Sequence, residues 1–341
     1  MQTLKSAHNE LFRRSPDEQF PDLDALWRHC RDEKEQSLEC WQPPDSVRPE
    51  VDGGVLTLRL DQEGLYRLND WSFTQTCALA KVGKDTVNKL RPETAATVLS
   101  ETLPKGAKPL QAYTRDGRLR SIHGASYTRL HNADLLDVVQ EFAVDFQPPQ
   151  QAVSGASGLY CGEQDMFCFL IDPAGWAEIE GEAFAPGFFL WNSEVGRRSI
   201  GVQTFWFQAV CQNHIVWDAV EVVEFTRKHT AKVHESLDGV RRIVENLVAK
   251  RDARRDGFVK VIGQAMRQRL GAEAEEVLKT LHKNGVPRGA AKEALQIASA
   301  GDGFTIFALV DALTRVARKQ PNAGERLELD QKAGALLALA A

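Results

Sequence analysis

Residues 186–218 read PGFFLWNSEVGRRSIGVQTFWFQAVCQNHIVWD. Beyond Ile200, Val202, Thr204, Trp206, Gln208 and Val210 fall on one side of an extended chain, and Gln203, Phe205, Phe207, Ala209 and Cys211 on the other. This period of two predicts one long β-hairpin with arms 186–191 and 200–217. The bend falls near 192–198, where Gly196 admits a positive φ and the charges of Glu194, Arg197 and Arg198 favour an exposed tip. Both sides of the second arm are largely apolar, so each needs a cover, either from helices of this chain or from another subunit. From Phe225 the pattern turns helical, with Thr226 as a suitable N-cap. Val233, Leu237, Val240, Val244 and Leu247 recur at heptad-like spacing. The fold class read from this stretch is α+β: an antiparallel sheet with a long hairpin, then a basic helix and a helical C-terminal region.

Charge divides at the same junction. Residues 131–224 hold 14 Asp+Glu against Arg197 and Arg198 alone, whereas 225–269 hold 12 Lys+Arg against five acids. An acidic sheet followed by a basic helix implies an organised interaction surface.

Working outward, short helices are predicted over 7–14 and 23–30. A strand follows in VLTLRL (55–60), then helices over 72–80 and 92–101. Arg115-Asp116-Gly117-Arg118 reads as a two-residue hairpin turn. An Asn132 N-cap precedes the amphipathic ADLLDVVQEF. Residues 147–158 are rich in Pro, Gln, Ser and Gly and read as a linker or loop. MFCFLI (166–171) is apolar throughout, as in a strand covered on both faces. Asn284-Gly285 ends one C-terminal helix and Pro287 starts the next. The divisions read are 1–110 (an α+β region), 111–270 (core sheet, hairpin and basic helix) and 271–341 (helical).

Catalytic and cofactor signatures are lacking. Gly83-Lys84 has neither the preceding Gly nor the following Ser/Thr of a phosphate-binding loop. His229 and His234 are five apart, which places them on different sides of a helix. The six cysteines form no CxxC pair and read as buried thiols. No catalytic residue, metal ligand or cofactor is assigned. Glu163, Asp165, Asp172, Glu178, Glu180, Glu182 and Glu194 are the carboxylates from which a metal-dependent enzyme would be built. No apolar run is long enough to cross a bilayer, and the first 18 residues lack an apolar signal core, so a cytoplasmic location is expected.

Several segments carry a resemblance: Tyr127-Thr-Arg129-Leu-His131-Asn132, the Asn192-Ser-Glu-Val-Gly196 hairpin with Cys211-Gln-Asn213, Arg227-Lys-His-Thr230, and the late Phe304-Thr-Ile306 with Asp311-Ala-Leu-Thr-Arg315. Together they resemble a phage- and plasmid-related protein family of unknown function. His214 and Asp311 depart from the pattern, which has Gly and Asn there. The resemblance implies a mobile-element setting. The order of strands, long hairpin and basic helix is also similar to single-strand annealing proteins of the Rad52 type, which implies an oligomer with a basic nucleic-acid groove.

The function read is therefore non-catalytic binding or annealing of single-stranded nucleic acid by a homo-oligomer. Arg197, Arg198, Arg227, Lys228, Lys232, Arg241 and Arg242 would supply phosphate contacts, and Trp191, Phe205, Trp206 and Phe207 stacking surfaces. Two other readings stay open: a protein–protein assembly module without nucleic acid, and the carboxylate-based enzyme.

Overall fold

The computed structural model describes residues 10–60, 64–106, 108–149, 158–209, 213–216, 225–227, 229, 235–299 and 303–340. The architecture is α+β. After a two-residue strand β1 (Glu18–Gln19) comes α1 (Leu23–Gln36), started by Asp22, whose carboxylate accepts the Ala25 amide. The helix predicted over 7–14 is not formed by its described residues. Phe12 instead exchanges two hydrogen bonds with the Asn88 side chain, which satisfies its backbone without a helix.

The N-terminal sheet is built from β2 (Leu38–Gln42), β3 (Arg48–Asp52), β4 (Val55–Leu60) and β5 (Gly64–Leu68), then α2 (Asp70–Leu79), α3 (Lys84–Val87) and α4 (Pro92–Thr102), then β6 (Leu110–Arg115) and β7 (Arg118–Gly124). Its order is β2-β6-β7-β5-β4-β3, antiparallel except for β5 beside β7. Asp116 and Gly117 both have positive φ, the conformation a two-residue hairpin turn demands. One face packs Leu56, Leu58, Leu60, Ala112 and Leu119 against Phe73, Ala95 and Leu99 of the helices. The other face is polar. The division read at 110 falls inside β6.

The central sheet follows α5 (Asn132–Phe142). It comprises β8 (Leu159–Cys161), β9 (Met166–Ile171), β10 (Ala177–Ile179), β11 (Glu182–Asn192), β12 (Ile200–Gln208), β13 (Asn213–Ile215) and β14 (Phe225–Arg227). The order is β1-β8-β9-β11-β12-β13, with β10 also on β11 and β14 also on β12. Then come α6 (Ser236–Ala249), α7 (Arg251–Arg267), α8 (Ala274–Lys283), α9 (Arg288–Ser299), α10 (Ile306–Ala317) and α11 (Ala323–Ala335).

Two sequence expectations are corrected here. The second hairpin arm ends at Gln208, and β13 turns back to pair with residues 206–208, which buries Ile215 and His214. Residues 225–227 are a strand registered against Ile200–Val202, so the helix begins at Ser236 instead of following Thr226. Within α6 the stripe Val240, Val244 and Leu247 is buried as its spacing predicts; Val233 lies outside the described residues.

Both faces of the central sheet are covered by this chain. Leu170, Phe188, Leu190, Ile200 and Val202 meet α1, α5 and α6. On the opposite face Phe167, Phe169, Phe189, Phe205 and Phe207 meet Ala323 and Leu327 of α11. The far end, with Phe184 and Trp206, packs on α7 and the C-terminal helices. The second subunit held open as a cover is therefore not required for burial of this sheet.

Candidate functional site

The β11–β12 turn does not project into solvent; it plugs into the polar face of the N-terminal sheet. Glu194 at its apex is buried, 2% exposed. Its carboxylate accepts the Asn132 amide at 2.7 Å and the Tyr113 hydroxyl at 3.2 Å. Arg120 lies at 3.4 Å and His131 Nδ1 at 3.6 Å. Burial alone would raise this carboxyl; His131, Arg120 and the Asn132 amide outweigh it and hold the group at about 2. Glu194 thus supplies an anion to the first turn of α5, a role the sequence reading gave to Asn132. His131 is the capping residue, and the Asn132 side chain instead accepts from Asn192.

Neighbouring bonds fix the rest of the turn. The Glu194 carbonyl accepts from the Tyr127 hydroxyl at 2.8 Å and from Arg129. Ser193 Oγ donates to Gln164 O and accepts the Arg197 amide. Trp71, near the start of α2, donates its indole N–H to Val195 O at 2.6 Å. Gly196 has φ +73°, and a Cβ there would stand 2.7 Å from His123 Cε1. The position requires glycine for its backbone and for the ring packed against it.

Beside this plug opens a recess of about 400 Å³ lined by His123, Ser126, Tyr127, Arg197, Ser199 and His229, with Arg198 at its edge. His123 stacks on Tyr127 at 3.7 Å and 7°, and the His229 ring centre lies 5.4 Å from that of Tyr127. Burial, then Arg129, pushes His123 down to about 3, so its ring is neutral at physiological pH. Arg197 is exposed, with its guanidinium 5.6 Å from the Trp71 ring centre. Arg198 is half-buried and committed to Asp165 at 3.4 Å and Glu328 at 3.1 Å.

The predicted site residues therefore separate. Arg197 and Arg198 share the recess, and β14 places the Arg227 backbone opposite Ile200, at the same end of the hairpin. Lys228 and Lys232 lie outside the described residues. Arg241 and Arg242 are on α6, away from the recess, and Arg241 lies 3.8 Å from Glu141. Trp191, Phe205, Trp206 and Phe207, read as stacking surfaces, are interior; Trp206 stacks on Phe258 at 4.0 Å. The candidate carboxylates do not form one cluster, although Glu180 and Glu182 line a common recess. Glu194 serves Arg120, Asp165 serves Arg14 and Arg198, Asp172 accepts the Ala174 amide, and Glu180 pairs with Arg267.

Other recesses open among the described residues. One of about 420 Å³ is lined by His29, Glu33, Arg115, Arg118, Arg120 and Cys161. Another of about 470 Å³ is walled by Glu180, Glu182, Phe307, Asp311 and Arg315, part of the late motif of the resemblance. Sequence reading missed Trp71, His123 and His229 as site residues. They come from three separate segments and are joined only when the hairpin docks.

No family model, curated protein or solved structure matches this chain. Among the described residues no helix is long and apolar enough to cross a membrane. The class that the fold defines is an α+β protein whose two sheets are locked together by an inserted hairpin.

Proposed function

We propose that the chain binds single-stranded nucleic acid, without catalysis, at the hairpin-tip recess. The observation that carries this reading is Arg197: exposed, seated over Trp71, and outside every ion pair among the described residues. Beside it stand neutral His123 and the hydroxyls of Ser126 and Ser199. A guanidinium takes a phosphate, while aromatic edges and hydroxyls accommodate sugar and base without reading sequence. Strand β14 brings the Arg227 backbone to the same edge, and the sequence after it continues with Lys228 and Lys232, which supports a basic track beside the recess.

The test is anisotropy of a labelled single-stranded oligonucleotide over a salt series. Arg197→Ala should weaken binding and reduce the salt slope by roughly one, with the fold unchanged. No binding by the parent at low salt, or an unaltered slope in the variant, ends the reading.

One observation favours self-assembly as a second reading. Strand β2 is an outer edge of the N-terminal sheet and exposes Leu38 (64%) and Trp41 (52%). Uncovered edges pair readily with other chains. Sedimentation velocity should show an oligomer that the double change Leu38→Lys and Trp41→Lys dissociates. A parent that stays monomeric across micromolar concentrations removes it.

A further inference from the structure

Helix α1 and strand β8 bring together three side chains that the hairpin-tip recess does not use. His29 and Glu33 are one turn apart on α1, Cys30 adjoins His29, and β8 ends at Cys161. A ring nitrogen of His29, a carboxylate oxygen of Glu33 and Cys161 Sγ all lie within 4.8 Å of one another. Cys30 is not part of this set; Cys30 and Cys161 are both buried and neither is in a disulfide. We propose that His29, Glu33 and Cys161 form a three-residue zinc site whose fourth position faces the adjoining recess.

The donor set decides the metal. One imidazole, one carboxylate and one thiol make a borderline-to-soft donor set, which suits Zn²⁺ and is a poor one for Mg²⁺ or Ca²⁺. Tetrahedral zinc places its ligand atoms about 3.3–3.8 Å apart, so side-chain shifts of about an ångström close the set. Supporting contacts already orient two of the donors. Glu33 is held by Arg115 at 2.8 Å and Arg120 at 3.3 Å, and the His29 ring packs on Phe20 at 4.8 Å. Entry is from the recess of about 420 Å³, whose wall includes His29, Glu33 and Cys161. Sequence spacing hides such a site, because two donors sit one turn apart on α1 and the third lies on a distant strand.

The measurement is zinc content of the purified full chain by mass spectrometry, followed by Zn²⁺ titration against a competing chelator. One tightly held zinc per chain is expected, and Co²⁺ in its place should give thiolate charge-transfer and tetrahedral absorption bands. Cys161→Ser should reduce affinity at least about tenfold and remove the charge-transfer contribution of that sulfur. Because Cys161 is buried, His29→Gln at the recess wall provides the second variant, with circular dichroism confirming its fold. It should also lose at least about tenfold and change the cobalt spectrum. Absence of zinc uptake by the parent overturns the site, as does isolation of a Cys30–Cys161 disulfide that takes up none. Full affinity with an unchanged cobalt spectrum in His29→Gln overturns it equally.

Discussion

Glu194 concentrates the physical logic of this molecule in one side chain. A carboxylate without water persists only where fixed positive groups and donors surround it, and Arg120, His131, Tyr113 and the Asn132 amide do so. Burial works against the charged form, but these partners hold the group at about 2, below its ordinary 4.5. The folded state therefore favours the ionised form more than the unfolded chain does. That stability is present in full above about pH 4.5 and is lost as pH falls towards 2. The shift corresponds to about 3 kcal/mol. Glu194→Gln should cost about 3–5 kcal/mol at pH 7, since it also leaves Arg120 short of one partner. The stability gap between variant and parent, read from urea unfolding, should shrink by about 2 kcal/mol between pH 7 and pH 3; a gap equal at both pH values would show that shape, not charge, is what the residue supplies.

At the scale of elements, the hairpin separates what periodicity discloses from what it hides. Strands β9, β11 and β12 were legible because apolar residues occupy both alternating faces, a pattern only a doubly covered strand tolerates. The turn at Asp116-Gly117 and the α8 stop at Asn284-Gly285 were legible from local backbone chemistry. Strand β14 was not, since three residues, Phe-Thr-Arg, carry no period and acquire their conformation from register with Ile200–Val202. The short strands β2, β3 and β5 were missed for the same reason. The doubly apolar pattern of the hairpin argued for cover over its aromatics and against their use as stacking surfaces. Phe205 lies edge-on to Phe169 at 5.3 Å and to Phe189 at 6.1 Å, fully buried. Phe205→Ala should therefore lower stability by about 3–5 kcal/mol while the folded fraction keeps its oligonucleotide affinity. Affinity lost without loss of stability would restore that ring to the binding surface.

Across the whole molecule, the separation of charge along the chain is partly neutralised by folding. Arg267 of α7 pairs with Glu180 at 3.0 Å and Arg241 of α6 approaches Glu141, so the basic helices spend some charge on the acidic half. A different cationic surface forms where composition showed none. Register sets Arg67 of β5 beside Arg118 of β7, and Arg118 beside Arg115 of β6, on the polar face of the N-terminal sheet. Arg115 is tied to Glu33, but Arg67 and Arg118 are exposed and outside ion pairs among the described residues. His123 occupies the same face of β7, five residues along from Arg118, or about 17 Å at strand rise. That is a span of a few nucleotides between the row and the hairpin-tip recess. A strand held at Arg197 is thus expected to continue over this row, since backbone phosphates follow the nearest unpaired cations. Replacing both Arg67 and Arg118 by Ala should leave the fold intact and reduce the salt slope of oligonucleotide binding by roughly two. A slope equal to the parent's would confine the contact to the recess, and the arginine row would then be only a solvated face.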